Sequence, residues 1–552
     1  MNRFLRILTA GLLLALAGCI RNDIPYPVVE LQITALEGQG FTASIDAAQR
    51  LVTLKLDEAT DIRKVHIDRI AATEGASVSC EVPGVYDLRS PLYVTLSLYQ
   101  EYVWTVQAEQ TIDRQFRVAG QVGAEEIDAK NHIARAYVGA NVDLEHVQVT
   151  ELKLGPAEGT TYSPTLEEFA DADFRSARMV DVTSYGRTER WWLFVEKTDS
   201  KIAVGAADLW RNTATVTAIV TEEEHAAGVS LQYRIQGSEQ WIEMENPSYE
   251  SGILSATLTP QWNASTNANQ LTVYTPDASK GLFAGGVYEI RLLVGGQQMQ
   301  LLEYTAPAGD EIPGGDMEGD LSCFTIDNTA AAMWGSGNNT LKRSLCTAAT
   351  CPGMEGSQCA KLSASETLKI LASGNLFTGT FKMAGTTGTV GFGQKFAYTA
   401  RPKSLRFRYH ATIGAVDIRK YETIQIGTQS FPSIAVGEKD ISSVYVAIVD
   451  WSARHEVSSG ISAPTGAWDP AAQSNLEGSG KIIAYGVLDL RESTSGEEMV
   501  EAEIPLLYYD TEASAPQGSY TIVISCSTSK YGDFMNGCST NVLYVDDFRW
   551  GY

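Results

Sequence analysis

Four places in the C-terminal part of the sequence set a flat ring beside an amide or a carboxylate. They are Trp334 with Asn338 and Asn339, Trp451 next to Asp450, Trp468 next to Asp469, and Tyr531 two residues before Asp533. A sugar ring is amphipathic. An aromatic face covers its apolar side, while amides and carboxylates take its hydroxyls. These pairs are therefore candidate contacts to a saccharide. Each ring also has a plain structural reading. Trp451 ends the apolar run VYVAIVD and can cap a core, and Trp334 can plug the base of a sandwich. Trp468, in the loop SAPTGAWDP, is the one expected at the surface.

Other chemistries leave fewer traces. The sequence has no GxSxG elbow, no HExxH and no GxGxxG after a strand. Gly478-Ser479-Gly480-Lys481 lacks the upstream Gly and the following Ser or Thr of a phosphate loop, and reads as a hairpin loop. The six His are scattered without a nucleophile pattern. Among 67 acidic residues some pair can do acid and base work on a glycosidic bond, but such pairs meet only in the fold.

The elements that must position these residues are strands. LVTLKL, YVTLSL, WWLFVE, ATVTAIV, YEIRLLV, VYVAIVD and YTIVIS are short β-type runs separated by turn residues, which makes the chain all-β and built of sandwiches. An ungapped internal repeat supports this: the segment from Ile45 returns from Ile127, so that Ile45, Leu51, Val65 and Ile67 match Ile127, Ile133, Val147 and Val149. Each copy later reaches a tryptophan strand, around Trp104 and around Trp191 and Trp192, expected as core anchors. Two immunoglobulin-like units follow, 38–119 and 120–200. A third unit, 201–308, is similar to a fibronectin type III domain through Trp210, the strand LQYRI and the late strand at Tyr288, and reads as a spacer. APAGDEIPGGDMEGD marks a linker, 309–320, before a large sandwich, 321–552.

The formal charge is −25, from 67 acidic and 42 basic residues, which repels phosphate backbones and disfavours a nucleic-acid partner. Neutral ligands such as polysaccharide or glycoprotein glycans are not disfavoured. Arg3 and Arg6 precede an apolar run that reads as an export signal, residues 1–18. Leu16-Ala17-Gly18-Cys19 resembles a bacterial lipobox, with Cys19 as the lipidated residue, 19–37 as a tether, and membrane contact only through the lipid; an ordinary signal peptide with a chance Cys is the alternative. Localisation would then be the outer membrane, periplasmic or cell-surface. Export lets disulfides persist. Cys346 with Cys351 or Cys359, and Cys526 with Cys538, would close short loops; unpaired buried thiols are the alternative.

MWGSGNN, ASGNLFTGTF, GFGQKF, ARPKSLRFRY, STSKYGDFMNGCSTN and the final LYVDDFRW, together with CIRNDIPYP at the start, resemble the putative carbohydrate metabolism domain of Bacteroides-type lipoproteins. The resemblance implies a jelly-roll β-sandwich like those of carbohydrate-binding modules, and carries no catalytic residues. It also implies a structural calcium between an early acidic segment and the last strand, with Glu318 and Asp546 as the first choices from Asp316, Glu318, Asp320, Asp546 and Asp547. The simpler alternative pairs Asp547 with Arg549 or a neighbouring Arg. The functional expectation is glycan binding by the C-terminal sandwich; the alternatives are a glycoside hydrolase using a carboxylate pair, and an adhesin without a sugar ligand.

Overall fold

The computed structural model describes residues 29–552 apart from 141, 199–200, 327–331, 368 and 461. The leader and Cys19 lie outside the described residues. Among the described residues strands make up 52% and helix 3%, an all-β architecture. Among the described residues no helix is long and apolar enough to cross a membrane.

The internal repeat has a counterpart in strand pairing. Strand Leu51–Leu56 runs parallel to Glu101–Gln110, and strand Ile133–Gly139 runs parallel to Arg187–Thr198. Both pairs centre on a tryptophan with no exposed surface, Trp104 and Trp191, each in a core of its own. Trp192 falls on the opposite face of its strand, as alternation requires, and is 41% exposed. It is not a core anchor.

Several sequence expectations shift. The first core begins before residue 38: Leu31, Ile33 and Leu36 are buried, and strand Ile33–Gly38 pairs with Val65–Ala72. Part of the expected tether is therefore folded. Trp210 does not anchor a core of its own unit. Its ring packs in the C-terminal core against Tyr398, and its indole N–H donates to the Ala513 carbonyl at 2.8 Å. Nor is 309–320 a free linker. Ile312 and Met317 are buried in the C-terminal core, and Phe548 N–H donates to the Gly315 carbonyl at 2.7 Å. Apolar side chains among the glycines explain the difference, because a linker needs no Ile or Met to bury.

The third unit also sends out a hairpin, strands Trp262–Thr266 and Thr272–Pro276, which leaves its own sheets. It joins the edge of the eleven-stranded sheet of the C-terminal sandwich, where Tyr274 pairs with Tyr508. Arg401 fastens this junction. It is 2% exposed, and its guanidinium lies 4.8 to 5.2 Å from the ring centres of Trp210, Trp262 and Tyr508. It donates to the Thr511 and Ala513 carbonyls at 2.9 and 3.0 Å. Burial pulls its pKa down, an expense offset by the rings and carbonyls around it.

The C-terminal sandwich packs this large sheet on a five-stranded one that contains Ser404–Thr412 and the terminal strand Val542–Gly551. Strict alternation in LYVDDFRW would put Val545 and Phe548 on opposite faces. The strand instead carries a bulge: its register against Ser404–Thr412 slips between Arg406 and Arg408, and Asp547 has φ +55°. Leu543, Val545, Phe548 and Trp550 all reach the core as a result. Asp547 is displaced towards arginines, with Arg549 at 3.2 Å and Arg408 at 3.7 Å. The cysteines from Cys80 to Cys538 are thiols, six of them buried. Cys346 neighbours Cys323, and Cys351 neighbours Cys359, so the short-loop pairings do not form.

Candidate functional site

A strand buried on one face still has a second face to use. In Ser442–Trp451, Val444, Val446 and Ile448 enter the inter-sheet core, which turns Ser443 and Tyr445 the other way. In Tyr520–Ser527, Ile522, Ile524 and Cys526 point inward and Ser525 and Ser527 outward. A groove of about 400 Å³ lies over this outward face. Ser443, Tyr445, Ser525 and Ser527 form its floor. Phe377, Phe381 and Phe392 come from the neighbouring strands, and Gln429 and Phe431 from the hairpin Thr423–Pro432. Two loops complete it, one with Trp468 and Asp469, the other with Lys530, Tyr531 and Asp533.

Both loops are held from behind. The Trp468 ring meets Tyr445, Trp451 and His455 edge-on at 5.6, 5.6 and 5.7 Å. Its loop is braced by the Tyr509 hydroxyl donating to the Pro470 carbonyl at 2.6 Å, and by an Asp469 carboxylate that accepts from Ala471 N–H at 2.9 Å. The second loop hangs on Asp440, 2% exposed. Its Oδ2 accepts from the Ser529 hydroxyl, Cys538 N–H and the Asn541 amide at 2.7 to 2.9 Å. Burial raises the Asp440 pKa, and these donors oppose the rise. Gly532 sits where a Cβ would come within 2.6 Å of Ser373, so only glycine lets the loop lie this close.

Asp533 lines the groove and is exposed as a residue, while the walls packed around its carboxyl still desolvate it. The desolvating walls govern its proton affinity and push its carboxyl up to about 6. Burial also raises the phenols of Tyr445 and Tyr531, which keeps both as neutral hydroxyls.

The structure brings five of the sequence candidates to one groove: Asn339, Trp468, Asp469, Tyr531 and Asp533. Three others are elsewhere. Trp334 is 2% exposed, packed on Phe548 at 5.1 Å with its N–H on the Pro313 carbonyl. Asn338 is 1% exposed and spends its amide on the backbone, donating to the Cys346 carbonyl at 2.7 Å and accepting from Cys346 N–H at 3.0 Å. Trp451 has no exposed surface and supports Trp468 from below. Their neighbour Asn339 does line the groove. Tyr445, Phe381, Phe431, Asn375 and Gln429 escaped the sequence reading. The Ser-x-Tyr alternation in SSVYVAIVD was the available signal for Tyr445, masked by the apolar run around it. A second hollow of about 290 Å³, lined by Val122, Gly123, Tyr137, Ala203 and others, offers little polar chemistry.

Burial raises the Asp546 pKa, and the charges of Asp547 and then Glu318 add to the rise. Glu318 Oε1 accepts from Gln358 N–H at 2.8 Å. Asp546 Oδ2 faces the Cys351 thiol at 3.5 Å, and its buried Oδ1 has no hydrogen-bond partner. Among the described residues no group of three or more His, Cys, Asp or Glu side chains could hold a metal ion. Two carboxylates beside two thiols are a poor match to the six to eight oxygens of calcium.

No curated protein matches the chain. Among solved structures, the chain is similar to a protein of Bacteroides thetaiotaomicron described as a "putative glycoside hydrolase", at 12% identity and TM-score 0.32 over 96% of this chain and 98% of that one. A second, from Bacteroides vulgatus with the same description, matches at 15% identity and TM-score 0.25 over 53% of this chain and 95% of that one. The sequence of residues 319–550 matches the family described as "Putative carbohydrate metabolism domain", the family that the motifs from MWGSGNN to LYVDDFRW resemble. The C-terminal sandwich that carries the groove is thus the part of the chain that matches the putative carbohydrate metabolism domain family.

Proposed function

We propose that the groove binds a carbohydrate and that the protein captures glycans at the cell envelope. The observation that carries this reading is the joining of Trp468, Tyr445 and Tyr531 with Asp469, Asp533 and Asn375 in one concavity of about 400 Å³. Rings supply stacking surfaces, and the carboxylates, amides and floor hydroxyls supply partners for sugar hydroxyls. The test is a screen of the full chain against arrayed host, plant and microbial glycans. Binding that disappears in Trp468→Ala supports the reading. Silence of the wild-type chain across all three classes counts against it and favours an adhesin with a protein ligand.

Hydrolysis of a glycosidic bond is a second reading, favoured by one observation. Asp533 is held protonated up to about pH 6, as a general acid must be, and Asp469 lines the same groove. Release of reducing ends from an array-positive glycan, abolished by Asp533→Asn, would establish it.

Anchoring through a lipid on Cys19, at the outer membrane, is part of the same proposal. Palmitate labelling of the wild-type chain and its loss in Cys19→Ala test it. Protease treatment of intact cells then separates a surface position from a periplasmic one. For the calcium expected at Glu318 and Asp546, the buried Oδ1 of Asp546 is the one supporting feature, and the thiol facing the same carboxylate weighs against a cation that seeks oxygen ligands.

A further inference from the structure

The third unit contributes more than spacing. The tip of its hairpin Trp262–Pro276 reaches the back of the groove. Asn267 donates from Nδ2 to the Ala471 carbonyl at 2.8 Å and to the Tyr485 hydroxyl at 2.8 Å. Asn269 donates to the same Ala471 carbonyl at 3.0 Å, and its Oδ1 accepts from Gln429 Nε2 at 2.8 Å. Ala471 lies in the turn that follows Trp468 and Asp469, and Gln429 lines the groove in the hairpin that also carries Phe431. One hairpin tip thus ties together two walls whose residues are about 40 positions apart in sequence.

The tip is itself rigid. Asn267 Oδ1 accepts from Asn269 N–H and Leu271 N–H, both at 3.0 Å, which fixes the turn and aims both amides at the groove loop. Behind it, Val273 is 1% exposed in the apolar cluster shared with Phe377, Phe392 and Trp451. Trp262 packs edge-on against Tyr508 at 5.4 Å. The hairpin is thereby part of the same packed body as the groove floor.

We infer that Asn267 and Asn269 are positioning residues for the groove, so that the binding site is a composite of the third unit and the C-terminal sandwich. This rests on the carbohydrate reading of the groove for its functional consequence, but not for its structural one. Without the two amides, the Trp468–Ala471 turn loses its cross-domain ties and the Gln429 wall loses its bridge. The stacking ring and its neighbouring carboxylate then sample several positions, and a ligand must order them on binding.

The test uses the full chain with Asn267→Asp and Asn269→Ala, singly and together. Asn267→Asp keeps the Oδ acceptor that the turn needs and removes the donor to Ala471, so the turn's own hydrogen bonds are kept while the tie is lost. Hydrogen exchange without any glycan is read peptide by peptide. Faster exchange confined to 423–432 and 468–473, with an unchanged core of strand Ser442–Trp451, is the expected result. For the strongest glycan of the array, the double variant is expected to bind roughly tenfold more weakly, the equivalent of about one net hydrogen bond's worth of lost order. Wild-type exchange in both segments overturns the inference. So does a uniform rise across the whole sandwich, which would mark general support of the fold. If the wild-type chain binds no glycan, the carbohydrate reading fails while the exchange result still decides the positioning role.

Discussion

The protonation of Asp533 gives the sharpest test of the groove as an enclosed site. Its carboxyl is pushed from an ordinary 3.8 up to about 6 by the walls around it. A carboxyl whose folded pKa lies above its unfolded value favours folding when protonated. Relative to a neutral side chain, that advantage is whole below pH about 4 and is lost as pH rises through about 6. The full shift would amount to roughly 3 kcal/mol at 1.36 kcal/mol per unit. Asp533 opens onto a groove that admits water, so screening reduces this to about 1 kcal/mol. Asp533→Asn should therefore match the wild type near pH 4 and exceed it by about 1 kcal/mol at pH 7. For a sandwich of this size that is a rise of roughly 2–4 °C in the midpoint of its transition. Thermal scans of the full chain at half-unit steps from pH 4 to 7.5 measure it. The other groups lining the groove, Asp469, Lys530 and Tyr531, are identical in both proteins and cancel in the difference. A pH-independent gap, or a variant that is less stable at pH 7, would refute the claim that the walls desolvate this carboxyl.

Other substitutions separate ligand contact from support. Trp468→Ala should weaken glycan binding at least tenfold in calorimetry while shifting the melting midpoint by only a few degrees, because the ring is half-buried. Trp451→Ala, which empties a fully buried site under Trp468, should cost about 3–5 kcal/mol of stability in denaturant titrations. Arg401→Ala leaves three rings and two carbonyls without their cation, and should lower the stability of the junction by about 2–4 kcal/mol, read as earlier unfolding of the C-terminal transition. If Glu318 and Asp546 hold calcium, millimolar calcium raises the melting midpoint of the wild type and leaves Asp546→Asn unmoved; equal midpoints in calcium and chelator remove the proposal.

What the sequence reveals here follows from the range of the interactions. Period-two patterning is local, so the strand content, the paired repeat and the buried Trp104 and Trp191 could be read residue by residue. The loop SAPTGAWDP has no apolar period, which places Trp468 outside a strand but does not reveal that its ring is half-buried against Tyr445, Trp451 and His455. Trp334, Asn338 and Trp451 carry the same residue types but sit in strands or spend their polar atoms on backbone of another strand, as Asn338 does on Cys346. Composition cannot register such a partner. The bulge at Asp547 was illegible because a one-residue insertion looks identical to strict alternation until the partner strand is known. The contribution of Asn267 and Asn269 was hidden for a related reason. Both lie in a unit that reads as complete in itself, about 200 residues before the loop they hold.

The borrowed hairpin also bears on how the protein must be handled. It occupies the border of the large sheet, where Tyr274 pairs with Tyr508. Cutting the chain at residue 320 would strip that border and leave unpaired amides and carbonyls beside uncovered Tyr508 and Tyr485. Such an open flank invites strand pairing between copies, so a trimmed C-terminal fragment should self-associate or precipitate where the longer chain stays dispersed.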